Sequence, residues 1–438
     1  MKKTFLLSCL MLAAMPVMAA YTGHVYVDKN KNGVFDQSEK PLAGIKVSDG
    51  LNVVETAADG SFTLPGHERE RFIFITTPSG YKTFNRHYHK IEKKQSGYDF
   101  GLIPYSGRIR KDGSHRYIHI TDTEIFNTEN HADWVNNVRD YARNEQAAFI
   151  IHTGDICYEK GLKAHIKLMN TENMDCPVFY CIGNHDLVKG KYGEELFESI
   201  YGPVYYSFDA GNVHYVVTPM SGGDHAPGYT SDDVCRWLKN DLAHIRPGTP
   251  VVVFNHDLLT YEDTFIFKSK NAGSINLNEY NLKAWVYGHW HINYMKKQGD
   301  VYSVCTSSLD KGGIDHSTTA FRVMHVDSKG DFTSELRYTY LDKNICIASP
   351  AGVMASGVLP VAVNVYSSVS PVREVLYTCL ADGKPVLKNK RLLQSTDWSW
   401  NGELPLSHKY VGKELTLRVT ARFNNGEIAE AESNFICR

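Results

Sequence analysis

Five short groups in the middle of the chain carry residue types that bind transition metals. They are Asp122-Thr123-Glu124, Gly154-Asp155, Gly183-Asn184-His185-Asp186, Asn255-His256 and Gly288-His289-Trp290-His291. Imidazole selects transition ions over calcium, and a mixed Asp, Asn and His set suits Mn, Zn or Fe. A carboxylate such as Asp155 offers two oxygens and can bridge two ions. Two ions about 3.5–4 Å apart clamp an in-line attack at phosphorus and supply hydroxide near neutral pH. His289 and His291 alternate, so an extended segment would turn both rings to one side. The glycines permit tight turns and close backbone approach. Taken singly, each group is an ordinary strand-to-loop turn, where Gly, Asn and Asp are common. Five in one zone, each after an apolar run, argue for one shared site.

The elements that must position these groups alternate between strand and helix. Tyr117-Ile118-His119-Ile120, Phe149-Ile150-Ile151-His152, Val178-Phe179-Tyr180 and Val251-Val252-Val253-Phe254 read as buried strands. Trp134, Val135, Val138, Tyr141 and Ala142 recur at helical spacing between two of them. This pattern predicts an α/β domain over residues 115–342, with ligands at strand ends. Residues 21–104 show short alternating runs such as Ile45-Lys46-Val47 and Phe72-Ile73-Phe74-Ile75, as expected of a small β-domain. Gly101 to Arg116 reads as a linker. After the stretch from Ala348 to Pro360, alternation at Val361, Val363 and Val365 and at Leu415, Leu417 and Val419 predicts a C-terminal β-domain over 348–438.

A length of 438 residues suits two or three domains, and 42% hydrophobic with 22% charged residues excludes a largely disordered chain. With 47 basic and 49 acidic residues there is no basic excess, which argues against a dedicated nucleic-acid binder. Residues 1–20 have the form of a signal peptide: Lys2 and Lys3, an apolar run from Phe5 to Ala14, then Val17-Met18-Ala19. Leu6-Leu7-Ser8-Cys9 resembles a lipoprotein box but stands too near the start. The expectation is an exported protein without a membrane span, periplasmic first, secreted or lipid-anchored as alternatives. Eight cysteines follow the leader, and their spacing selects no pairing; buried small hydrophobes are the favoured reading.

The ordered groups resemble the calcineurin-like metallophosphoesterase superfamily, whose pattern is D-x-H, G-D, G-N-H-D/E, H, then G-H-x-H. The resemblance covers residues 117–310 and implies a two-sheet αββα sandwich. It implies Asp122 and His291 on one metal, Asp155 bridging, and Asn184, His256 and His289 on the other. It further implies His185 as general acid, with Asp186 orienting its ring. Tyr201-Gly202-Pro203 and Tyr206-Ser207-Phe208 also resemble a segment of many members. One departure stands out: Glu124 occupies the position of the first histidine. Glu124 as an oxygen ligand is the expectation. The alternative is Tyr158, because Gly154-Asp155-x-x-Tyr158 resembles purple acid phosphatases.

The N-terminal flank holds a second candidate site. Asp28, Asn30, Asn32, Val34, Asp36 and Glu39, with Gly33 at the sharp turn, match a twelve-residue calcium loop. The segment resembles the loops of B-type repeats in bacterial surface proteins and predicts calcium. Residues 44–64 resemble the N-terminal domain of some bacterial calcineurin-like enzymes, and the C-terminal zone resembles the β-domain that follows there.

The expected function is an exported binuclear-metal phosphohydrolase that cleaves phosphate mono- or diesters, the substrate being a small sugar, nucleotide or lipid phosphate. Two alternatives are a degenerate phosphoesterase that only binds its ligand and a nuclease; the acidic balance counts against the latter.

Overall fold

The computed structural model describes residues 20–95, 97–341 and 343–438, so the leader reading lies outside the described residues except for Ala20. Its centre is built from two mixed sheets. The first runs in the order Val178–Tyr180, Phe149–His152, His115–Ile120, Ala320–Val326, Phe332–Tyr338. The first three of these strands are parallel and the last two antiparallel. The second runs Tyr206–Ala210, Val213–Val217, Val251–Phe254, Leu282–Tyr287, Val301–Cys305, Tyr294–Gln298, parallel through its middle four.

Aromatic rings fill the space between the sheets. Tyr117 stacks on Phe149 at 4.8 Å, and both meet Tyr215 and Phe254 of the second sheet edge-on. Helix Ala132–Asn144 lays Trp134, Val135, Val138, Tyr141 and Ala142 against Ile118, Ile120 and Ile150. Helix Ser231–Ala243 buries Trp237 and Leu238 in the core of the second sheet. The result is an α/β sandwich of helix, sheet, sheet and helix. Because neighbouring strands run parallel, their carboxyl ends open on one edge, and the loops that follow converge there.

Residues on the N-terminal side form two further sheets around Val25, Val47, Ile73, Ile75, Phe100 and Leu102. The run Phe72–Ile75 lacks polar alternation because both its faces are buried. Ile73 and Ile75 point into that core, whereas Phe72 and Phe74 join the central one, with Phe74 6.3 Å from Trp237. The expected linker starts later than predicted: residues 101–104 belong to strand Phe100–Pro104, whose Leu102 is buried.

The C-terminal residues pack two sheets around Val361, Val363, Leu415, Leu417 and Trp400. Strand pairing begins at Asn344, before the Ala348 expected, because Asn344–Ser349 pairs with Gly357–Tyr366. Asn144 donates to the Val369 carbonyl at 2.7 Å and so ties this unit to the first helix. All eight described cysteines are unpaired, and only Cys346 among them is exposed. No helix among the described residues is long and apolar enough to cross a membrane.

Candidate metal centre

The loops at the open edge are held in costly backbone conformations. Asp122, Glu124, Asp155, Cys157, Tyr158, His289 and His291 all have left-handed φ, between 44° and 76°. Such a conformation costs a side-chain-bearing residue about 1–2 kcal/mol, so tertiary packing must impose it. His289 and His291 therefore do not alternate along an extended segment; each sits in its own left-handed turn beyond strand Leu282–Tyr287. Two motif glycines are required by contact. A Cβ on Gly183 would lie 2.2 Å from the Asp155 amide nitrogen, and one on Gly288 would lie 1.9 Å from Thr121 Oγ1.

Seven predicted ligands come together. His256 Nε2 lies 3.1 Å from Asp155 Oδ2 and 3.2 Å from Asn184 Oδ1. Its Nδ1 donates to the Thr153 carbonyl at 2.7 Å, which leaves Nε2 free to face the centre. Asp155, His256 and His289 offer ligand atoms within 4.8 Å of one another. On the other side, His291 Nε2 stands 3.2 Å from Asp122 Oδ1 and 3.5 Å from Glu124 Oε1. Thr121 Oγ1 and the His289 amide donate to Asp122 Oδ2 at 2.7 and 3.0 Å. Asp122 Oδ1 is buried without a hydrogen-bond partner although the His291 ring is so near. Carboxylate oxygens, an amide oxygen and ring nitrogens that converge on one point fit a shared cation, and the Asp, Glu, Asn and His donors fit a divalent transition ion. Burial opposes a charge on His256, yet the Asp155 carboxylate beside it pushes its pKa up to about 10. The Asp122 carboxylate beside it raises His291 likewise.

Comparison with known proteins places this geometry. A family model described as calcineurin-like phosphoesterase matches residues 115–293, and one for the N-terminal of calcineurin-like phosphoesterase matches residues 29–104. Together they span more than half of the chain. It belongs to the calcineurin-like phosphoesterase family. The description of that family is one of phosphoesterases. Purple acid phosphatase 13 of Arabidopsis thaliana is 26% identical over 215 residues, which are 46% of this chain and 36% of that protein. The chain thus spans little more than a third of the length of the curated relative it matches. Among solved structures, purple acid phosphatase PPD1 from yellow lupin seeds shares 12% identity, with 90% of this chain and 70% of that one covered at a TM-score of 0.32. An archaeal phosphodiesterase shares 12% identity, with 50% of this chain and 99% of that one covered at a TM-score of 0.26. Likeness this faint decides nothing about the site.

In this calcineurin-like chain, His185 stands at the rim of the centre, anchored by its amide donating to Asp155 Oδ1 at 3.0 Å. The expectation that Asp186 orients its ring is corrected. The two Asp186 oxygens accept the Cys157 and Gly183 amides at 2.8 and 2.9 Å, and Asp186 is fully buried. Burial pushes its carboxyl up to about 7, with the Asp155 charge adding to the effect. The partner of His185 Nδ1 is Asp224, 2.8 Å away. Burial works against a charge on His185, but that hydrogen bond prevails and raises its pKa. Sequence reasoning missed Asp224, whose one signal was the preceding Gly222-Gly223 pair; a Cβ on Gly223 would lie 2.4 Å from the Asn184 carbonyl oxygen. It also missed Lys311, whose ammonium donates to the Glu124 carboxylate and, at 3.3 Å, to the Glu124 carbonyl. The Tyr158 hydroxyl lies 3.4 Å from His185 Nδ1.

The predicted calcium loop lies between strands Tyr21–Val27 and Lys40–Pro41. Asp36 Oδ2 accepts from the amides of Asn30 and Asn32 at 2.8 and 3.0 Å, so three predicted ligand side chains meet at one point. The Asn30 and Asn32 amide oxygens accept the Asn32 and Val34 backbone amides at 3.1 and 2.8 Å. Asp28 caps the turn through the Asn32 and Gly33 amides, and Glu39 receives those of Lys29 and Asp36.

Proposed function

We propose that this chain is an exported phosphohydrolase with two metal positions that share Asp155. Asp122, Glu124 and His291 would complete one position, and Asn184, His256 and His289 the other. The observation that carries the reading is the place of Asp155: its Oδ2 is 3.1 Å from His256 Nε2, and it groups within 4.8 Å both with His256 and His289 and with Glu124 and Cys157. Ions bound there would neutralise the phosphate and activate water for in-line attack. The chain's own groups do the rest. Asp122 and Asp155 are held by backbone and hydroxyl donors, so they would take up the ions without reorganising. His185, charged by its Asp224 partner, donates a proton from its ring to the departing oxygen. Mono- and diesters both fit, and the acidic composition argues against nucleic acid as substrate.

Purified protein loaded with Mn, Zn or Fe in turn should hydrolyse nitrophenyl phosphate or its bis ester and contain close to two ions per chain. Asp155→Asn should lose both ions and about 100-fold or more in rate. A second reading, a ligand-binding protein with a crippled centre, draws on the Lys311–Glu124 ion pair, in which a cation already occupies the odd ligand. Full metal content without turnover of either ester would favour it.

The same proposal includes calcium in the loop from Asp28 to Glu39, supported by the shared point of Asn30, Asn32 and Asp36. It also includes a leader at residues 1–20, an N-terminal β-domain at 21–104, the phosphoesterase domain at 115–342 and a C-terminal β-domain, with periplasmic destination. N-terminal sequencing of the mature protein checks the leader.

A further inference from the structure

An open cleft of about 580 Å³ begins at the rings of His289 and His291 and runs outward past Leu258, Tyr261, Trp290 and Ile314. That volume suits one moiety of a small molecule, the usual range being roughly 300–1,000 Å³. Trp290 stands between the two histidines and is firmly placed. Its indole N–H donates to Asp257 Oδ1 at 3.2 Å, and its ring meets Tyr287 edge-on at 5.2 Å. Tyr261 lies nearly parallel to it, 26° off with centroids 5.8 Å apart. Tyr261 is 73% exposed and Ile314 is 74% exposed. Large apolar groups so open to water, clustered beside a reactive centre, mark a surface meant to be covered. The walls are also fixed to the centre: the Ile314 amide donates to the His291 carbonyl at 3.0 Å.

The polarity of the cleft selects its occupant. Apart from the histidines, Asp257 is its charged group, and Asp257 Oδ1 already accepts from the Trp290 indole and the Leu258 amide. A sugar ring would find few new hydrogen-bond partners there and would leave the apolar walls poorly covered. A flat aromatic ring needs only faces and apolar edges, which Tyr261, Trp290, Leu258 and Ile314 provide.

We propose that this cleft holds a planar aromatic group of the substrate, so that the substrate class is a phosphate ester of a nucleoside or similar aryl-bearing alcohol. The assignment rests on the phosphohydrolase reading and deepens it. In the reaction, the bond from phosphorus to the ester oxygen breaks and water oxygen bonds to phosphorus. One water proton balances the departing alcohol, and the other leaves with the phosphate.

Adenosine 5′-monophosphate and ribose 5-phosphate carry the same ester and the same leaving oxygen, and they differ only in the base. With metal-loaded native protein, kcat/KM should favour the nucleotide by about 10-fold or more, the scale of one stacked base. Calorimetry should detect adenosine but not ribose. Tyr261→Ala, at an exposed position, should bring the kcat/KM ratio towards one and abolish adenosine binding, and Ile314→Asp should act in the same direction. Equal kcat/KM for the two esters in native protein, or adenosine binding unchanged in Tyr261→Ala, would overturn the assignment while the phosphohydrolase reading stands. Adenosine binding that depends on Tyr261, with neither these esters nor the nitrophenyl esters turned over by metal-loaded protein, would support the cleft and sink the phosphohydrolase reading instead.

Discussion

His185 Nδ1 meets Asp224 Oδ2 at 2.8 Å, and Asp186, its neighbour in sequence, turns the other way. Asp186 secures the backbone of Gly183 and Cys157 and so shapes the loop on which His185 rides. Asp224 is held by its own amide, which donates to the Asn184 carbonyl at 3.1 Å. The ring is thus steered by a loop from the second sheet while its backbone is anchored to Asp155 of the first.

This pairing sets the first prediction. His185→Ala should lose about 100-fold or more in turnover of an alkyl phosphate and much less with nitrophenyl phosphate, whose leaving group needs little protonation. Asp224 raises the His185 pKa against burial, and a general acid acts only while protonated. Asp224→Asn should therefore move the alkaline limb of the rate profile to lower pH. Equal losses on both esters in His185→Ala, with metal content retained, would refute the proton-donor role.

The second prediction concerns the ligand that departs from the family pattern. Glu124 Oε1 lies 3.5 Å from His291 Nε2, whereas the Tyr158 hydroxyl faces His185. Glu124→Ala should cost one metal equivalent and most activity, and Tyr158→Phe should keep both ions. Elemental analysis of the purified variants decides it. A visible charge-transfer band that vanishes in Tyr158→Phe would reverse the assignment.

A third outcome is expected at the calcium loop. Calcium should raise the melting temperature of the full chain, since a ligand that binds only the folded state contributes ~2.7 kcal/mol at 100 times Kd. Asp28→Ala should remove the rise while turnover of small esters persists. An unchanged melting curve for native protein with and without calcium would exclude the site.

A fourth lies away from the metals. Buried His214 bonds Asp209 through Nδ1 at 2.6 Å and Asp241 through Nε2 at 2.8 Å, with the Lys46 ammonium 3.4 Å from Nδ1. Burial disfavours its charge, but the two carboxylates prevail and raise its pKa. A group whose folded pKa is raised contributes stability that is complete below the unfolded value, near 6.5, and fades as pH rises through the folded one. His214→Leu should therefore be less stable than native protein by about 3 kcal/mol in mild acid. That gap should narrow in alkali. Melting curves between pH 5.5 and 9 test this, and a gap that stays constant would mean that folding leaves the His214 pKa unchanged.

The amino-acid sequence by itself determined the ligand types and their order, because each follows an apolar strand whose pattern is local and whose parallel pairing sends every loop to one edge. Asp122, Asp155, Asn184, His256, His289 and His291 were legible for that reason. Glu124 was legible as a substitution at a known position. The α/β class of the core followed from the same alternation, and its two-sheet αββα form from the family resemblance. Tertiary structure alone decided how these groups face one another. Asp224 reaches His185 across 39 residues and Lys311 reaches Glu124 across 187, contacts that depend on how two sheets pack and that leave no periodic trace. The left-handed turns at His289 and His291 were likewise illegible, since local propensity argues against them and only the surrounding packing pins them. Strand Phe100–Pro104 passed for linker because its buried partners come from the far end of the same unit. Local pattern names the residues; distant packing, through steric fit and burial, decides which of them touch.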